Sequence, residues 1–220
     1  MKKALIVIDV QKGIVRMPVM DAENVLKRIR ALQDRFRAAG APVINVQHDG
    51  PPGHRVEKGT SGWNIEEAVE PASGEPVIHK RASDSFFETS LHDHLSKLGI
   101  TDLVVAGCMT QYCVDTTCRR AVTLGYNVVL ASDAHSTAPE GDLEATQIVS
   151  HNNTLLDGFS AGGHSISVEP SEKIQASECG PLSIFNHCFF GRGSSFGFTK
   201  VIANGPIALT EKVAPSLDHA

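Results

Sequence analysis

The fold class that the sequence predicts is α/β: a doubly wound, mainly parallel sheet in a three-layer, Rossmann-like α/β/α arrangement. Three observations predict it. Short apolar runs alternate with helical stretches at intervals of roughly 25–30 residues, the signature of parallel strands joined by crossover helices. The first run, ALIVIDV at 4–10, is apolar almost throughout, as a strand covered on both faces must be. The chain has 220 residues, 41% hydrophobic and 20% charged, enough for one such core.

The elements follow in order. After the strand at 4–10, residues 21–39 have helical spacing, with Val25, Ile29, Leu32 and Phe36 on one face and Asp21 as N-cap. Gly40 ends that helix, and PVINVQ at 42–47 is a second strand. Residues 48–75, rich in Gly and Pro, form a long loop with one short helical turn, and loops of that length often carry function. A third strand at 76–79 precedes a helix at 89–98 that Gly99 stops. DLVVAG at 102–107 is the fourth strand, and a helix at 111–124 ends at Gly125. NVVLAS at 127–132 is the fifth strand, residues 143–156 are helical, and 165–168 make a short edge strand. Beyond residue 171 Gly and Pro accumulate and the helical period is lost. One domain at 1–174 and a tail at 175–220 are therefore expected, with no chemistry assigned to the tail.

Composition excludes several classes. The net charge is −5 and the basic residues are scattered, so neither a nucleic-acid groove nor a membrane-surface patch is indicated. No run approaches the ~18 apolar residues of a membrane span. The apolar run before Asp9 lacks a cleavage site and reads as a strand rather than a leader, so a cytoplasmic protein is expected. The cysteines are Cys108, Cys113, Cys118, Cys179 and Cys188. An odd number with no CxxC pair argues against a disulfide framework and a structural zinc site.

In parallel sheets, ligands bind beyond the carboxyl ends of the strands. Three ionisable side chains fall there: Asp9 closing strand one, Lys80 after strand three, and Cys113 after strand four. Cys113 follows the turn 108–112 and opens a helix, where the macrodipole and a nearby ammonium favour a thiolate. A carboxylate beside it can take the thiol proton and return it to a leaving amine, and free N–H groups at the helix start can hold an oxyanion. Taken singly, each residue has an ordinary reading as a cap, a solvated lysine or a core cysteine, and Cys108 and Cys118 fit the last. Their coincidence at one sheet edge is what suggests acyl transfer.

Three segments carry a resemblance: ALIVIDVQKGIV at 4–15, VIHKRASDSFFETSL at 77–91 and VVAGCMTQYCVDTTCRRAVTLGYNVVLASDA at 104–134. Together they resemble the isochorismatase-like cysteine hydrolases, the superfamily of nicotinamidase, N-carbamoylsarcosine amidase and streptothricin hydrolase, over about residues 2–174. The resemblance implies that Asp9, Lys80 and Cys113 are catalytic. It implies a cis Cys108–Met109 peptide braced by Thr110, an oxyanion hole from the N–H groups of Met109 and Cys113, and a substrate pocket near Gln11, Trp63, Phe86 and Phe87. His135 and His151 would fix the last helix or border the cleft, and the chain would be a homo-oligomer, dimer or tetramer. Nicotinamidase-type relatives carry Asp-x-His and a further His after strand two. Here QHDGPPGHRVEKG at 47–59 has His48, Asp49 and His54 at other spacings, so neither metal nor other cofactor is expected.

Members that cleave isochorismate lack the cysteine, so the expected substrate is a small molecule with an amide, carbamoyl or lactam C–N bond. The alternatives are a metal-assisted nicotinamidase, a catalytically silent binding module, and a phosphoacceptor domain. The last needs an Asp after the third strand that IHKRAS does not supply.

Overall fold

A computed structural model describes residues 2–176. The expected tail therefore lies outside the described residues except at 175 and 176, as do Cys179 and Cys188. Seven strands form one sheet: β1 Lys3–Ile8, β2 Val43–His48, β3 Val77–Lys80, β4 Asp102–Cys108, β5 Asn127–Ser136, β6 Ser160–Ala161 and β7 His164–Glu169. The helices are α1 Lys12–Val15, α2 Ala22–Ala38, α3 Leu91–Leu98, α4 Asp115–Thr123 and α5 Ala145–Leu156. The strand order is β3-β2-β1-β4-β5-β7-β6, parallel throughout except for the β6–β7 hairpin. From β1 the chain winds outward to β2 and β3, then returns to β4 on the other side. The switch point therefore lies between β1 and β4.

Alternation along β1 builds both layers. Ala4, Ile6 and Ile8 join Leu91 and Leu95 of α3 and Cys118, Ala121 and Val122 of α4 in one core. Leu5 and Val7 pack on the opposite face against Val25, Ile29, Leu32 and Phe36 of α2. Truncating one of these buried aliphatics to Ala would cost about 2–5 kcal/mol, so the floor of the switch point is held from both sides.

Several boundaries differ from expectation for identifiable reasons. Asp21 sits at the N-cap position but makes no capping bond; it has φ 52°, and its carboxylate accepts from Asn24 and Arg28 instead. The helix expected at 111–124 is in two parts. In the first, the Val114 N–H reaches back to the Met109 carbonyl (3.3 Å), one residue further than α spacing; α4 then begins at Asp115. β5 does not stop at Ser132 but runs to Ser136, because His135 and Ser136 pair with Gly107 and Cys108 beyond a register shift in β4. The helix expected from 143 begins at Ala145, where Glu144 and Gln147 form a capping box. The short α1 and β6 have no sequence signal of their own.

Candidate active site

Asp9 is the first residue after β1 and is held in the left-handed region at φ 51°, a conformation that costs a non-glycine residue roughly 1–2 kcal/mol. Its N–H donates to the Val46 carbonyl (2.9 Å), fixing the end of β1 against β2. On the other side β4 comes so close that a Cβ at Gly107, itself at φ 127°, would lie 2.1 Å from the Ile8 oxygen. Only glycine permits this approach, which carries the turn after β4 over Asp9. The Cys108–Met109 peptide in that turn is cis. Lys80 is the last residue of β3, two strands from β1, and its side chain reaches past the end of β2.

The three expected residues meet. Lys80 Nζ lies 2.7 Å from Asp9 Oδ2, and both side chains are buried (0% and 1% exposed). Lys80 directs hydrogen bonds to the carbonyls of Ala82 (2.9 Å) and Ser83 (3.4 Å). Its contact with Asp9 is consequently an ion pair without hydrogen-bond alignment, and both carboxylate oxygens lack a hydrogen-bond partner among the described residues. Burial pulls the Lys80 pKa down, but the charge of Asp9, with the contacts Lys80 makes to Asp9 and Cys113, outweighs it and holds the group above the ordinary lysine value. The Cys113 thiol is close enough to both partners for each to act on it. Burial first and the Asp9 carboxylate second push it up to about 12, against the pull of Lys80. The expected thiolate at the helix start is therefore corrected: in this resting arrangement the thiol is protonated, because desolvation and a neighbouring anion exceed the pull of the ammonium.

Above this floor opens a cavity of ≈ 420 Å³, lined by Asp9, Met109 and Cys113 at its base and by His48, Arg55 and Glu140 among its walls. It lies beyond the carboxyl ends of the central strands, and its volume suits a small-molecule ligand. Met109 and Cys113 are both at its surface. The Met109 carbonyl accepts from the N–H groups of Tyr112 (3.1 Å) and Val114 (3.3 Å), on either side of Cys113.

None of the four residues expected in the pocket lines this cavity. Gln11 is buried and splices two loops: its Nε2 donates to the carbonyls of His48 (3.0 Å) and Trp63 (2.8 Å), and its Oε1 accepts from the His48 N–H (3.0 Å). Trp63 donates to Asp49 (2.8 Å) and stacks on His79 at 5.6 Å, so the long loop spends its aromatic ring on β3. Phe86 turns into the core against Tyr126. Phe87 is exposed and borders a second cavity, lined also by Asp49, Lys80 and Arg81. Asp49 holds Lys58, Trp63 and His79, whereas His54 faces His48 across 5.9 Å, so Asp49 and His54 serve different walls. Among the described residues, no three His, Cys, Asp or Glu side chains converge as a metal-holding group.

Behind the Cys113 turn lies a second polar cluster. His135 Nε2 donates to Asn153 Oδ1 (2.8 Å), since the amide nitrogen of Asn153 is engaged with the Ser132 carbonyl (3.0 Å). Its Nδ1 is therefore the acceptor for the Thr110 hydroxyl (2.9 Å). Burial holds the His135 pKa below its ordinary value. His135 thus ties α5 to the turn, and His151 lines a different cavity against α5. Of the wall residues, His48 and Arg55 belong to the long loop 48–75 that the sequence offers as the pocket-building segment, whereas Tyr112 and Glu140 are not singled out by it. The only signal of the last two is position, just before Cys113 or after strand five.

A family model described as the isochorismatase domain matches residues 3–157. The chain belongs to the isochorismatase family. Among its relatives, a streptothricin hydrolase of Streptomyces noursei is 43% identical over 137 residues, covering 61% of this chain and 54% of that protein. Nicotinamidase 3 of Arabidopsis thaliana is 31% identical over 157 residues, covering 65% and 77%. The crystal structure of an isochorismatase from Pseudomonas putida KT2440 superposes with a TM-score of 0.71 at 32% identity, covering 77% of this chain and 88% of that one. The chain spans about half the length of the streptothricin hydrolases it matches. Its three-layer α/β architecture is that of the isochorismatase fold, and the family includes amidohydrolases. No helix among the described residues is long and apolar enough to cross a membrane.

Proposed function

We propose that this isochorismatase-family protein is a cysteine hydrolase that cleaves an amide, carbamoyl or lactam C–N bond of a small molecule through a thioester. The observation that carries this reading is the buried Lys80–Asp9 pair, at 2.7 Å, beside the Cys113 thiol on the cavity floor. Relatives named for hydrolysing streptothricin and nicotinamide support a small-molecule substrate.

Asp9 takes the proton of Cys113 as the sulphur attacks the substrate carbonyl, so charge moves from carboxylate to oxyanion without free thiolate accumulating. Asp9 is buried beside the thiol, within reach of its proton, and Lys80 keeps the site's charge balanced as the proton moves. The N–H groups of Met109 and Cys113 receive the oxyanion. The intermediate collapses, the C–N bond breaks, and Asp9 delivers its proton to the leaving nitrogen, leaving an acyl-thioester on Cys113. Water, deprotonated by Asp9, then releases the acid and restores the thiol.

The test is release of ammonia or amine from a panel of small amides, ureido acids and lactams. Turnover of at least one class that disappears in Cys113→Ala, with the fold retained, is expected. Undiminished turnover in Cys113→Ala would refute the assignment.

A further inference from the structure

Two charged side chains in the cavity wall have no opposite charge within ion-pair distance among the described residues: Arg55, after β2, and Glu140, after β5. They flank the centre from opposite sides, because β2 and β5 lie on either side of the β1–β4 pair. They differ in how they are held. Both are exposed, and among the described residues the Arg55 guanidinium hydrogen-bonds only the Met17 sulphur. Glu140 accepts at Oε2 from Gln111 Nε2 (2.7 Å) and at Oε1 from the Tyr112 hydroxyl, and its backbone exchanges two bonds of 3.0 Å with Leu143.

These two donors are neutral. They orient the carboxylate and, led by Tyr112, hold its pKa down, yet leave its negative charge uncancelled. Both come from the residues directly before Cys113, so the carboxylate is registered on the reacting sulphur. Of the other charges facing the cavity, Asp9 is matched by Lys80, burial lowers the pKa of His48, which favours its neutral form, and Arg55, on the opposite side, is not within ion-pair distance of Glu140. Tyr112 lines the same wall, and an aromatic ring beside a carboxylate is the pairing that attracts ammonium and guanidinium groups. A preoriented charge also needs no ordering when ligand arrives, unlike the loosely held Arg55.

We propose that Glu140 is the specificity-determining residue for a cationic group, ammonium or guanidinium, on the part of the substrate remote from the scissile carbonyl. This rests on the cavity being the site of amide hydrolysis. A carboxylate that merely tacked its loop to the Cys113 turn would not distinguish ligand charge.

The experiment is calorimetric binding to the Cys113→Ala protein of ω-amino amides of about three to six carbons, such as 6-aminohexanamide. Methyl-terminated isosteres, such as heptanamide, and carboxylate-terminated counterparts are measured beside them. A charge-assisted contact at this exposed carboxylate should favour the cation by about two- to five-fold over its isostere. In Cys113→Ala/Glu140→Gln that ratio should fall towards one; the amide keeps a carbonyl for Gln111 and an NH₂ group that the Tyr112 oxygen can accept. Equal binding of cation and isostere, an unchanged ratio in the double variant, preference for the carboxylate, or no binding by any amine would overturn the proposal. Ammonia release by the wild-type enzyme is scored separately. Cation preference without release sinks the hydrolase reading alone, and release without preference sinks the role of Glu140 alone.

Discussion

Two buried polar clusters flank the turn that carries Cys113, and they are finished differently. Behind it, Thr110, His135 and Asn153 form a closed chain in which each ring nitrogen of His135 has one partner of the right kind. In front, Asp9 and Lys80 sit side by side with equally little exposure, yet the carboxylate oxygens have no aligned donor. A closed network fixes one geometry and has little left to give a ligand. An ion pair with open lone pairs is costly to bury and is kept where those lone pairs have work to do. Burial therefore does not distinguish the two clusters; the partnering of their polar atoms does.

The contrast is broken most severely by Cys113→Ala. Removing the sulphur should abolish amide turnover, by at least about 10⁴-fold, while leaving thermal unfolding nearly unchanged. Cys113→Ser should also be severely impaired, since an alcohol is harder to ionise. Next in size is Lys80→Ala, which strands the Asp9 carboxylate in the interior and should destabilise the fold by about 3–5 kcal/mol in denaturant titration. Asp9→Asn/Lys80→Met should recover much of that loss but no activity.

The closed cluster should behave otherwise. His135→Ala leaves Thr110 and Asn153 without their partner and should cost about 1–3 kcal/mol. Its pH dependence has a definite sign. The folded His135 pKa lies below the unfolded value of about 6.5, so the unfolded chain takes the proton first. The wild-type stability contribution is then complete above that value and is lost as the pH falls towards the folded pKa. His135→Ala should flatten this acid limb. The smallest effect is expected at Phe87, exposed and away from the cavity, where Ala should change stability by no more than about 0.5 kcal/mol and leave KM unaltered.

The sequence made the floor of the site legible and the walls illegible. Asp9 and Lys80 stand at the ends of apolar strands and Cys113 follows β4 after a short turn, and the resemblance carried by three separated segments is what joins them. β5 was cut short because Asp133 to Ser136 reads as polar loop; the structure continues the strand by giving His135 and Ser136 buried partners. Trp63 and Phe86 look like pocket aromatics in a one-dimensional pattern. Their destinations, His79 and Tyr126, depend on how a long loop and a neighbouring helix pack. Arg55 and Glu140 come from loops whose side chains carry no periodicity at all.

The arrangement of Asp9 against Cys113 is tested most directly by iodoacetamide alkylation followed across pH, with the modified cysteine mapped by mass spectrometry. In the wild-type protein, Cys113 should alkylate slowly at neutral pH, accelerating about ten-fold per pH unit well past pH 9, as a thiol raised to about 12 requires. Asp9→Asn removes the anion that raises the thiol and leaves Lys80 to lower it, so alkylation at neutral pH should become faster as turnover disappears. Unchanged or slower alkylation of Cys113 in Asp9→Asn would contradict a carboxylate acting directly on that sulphur.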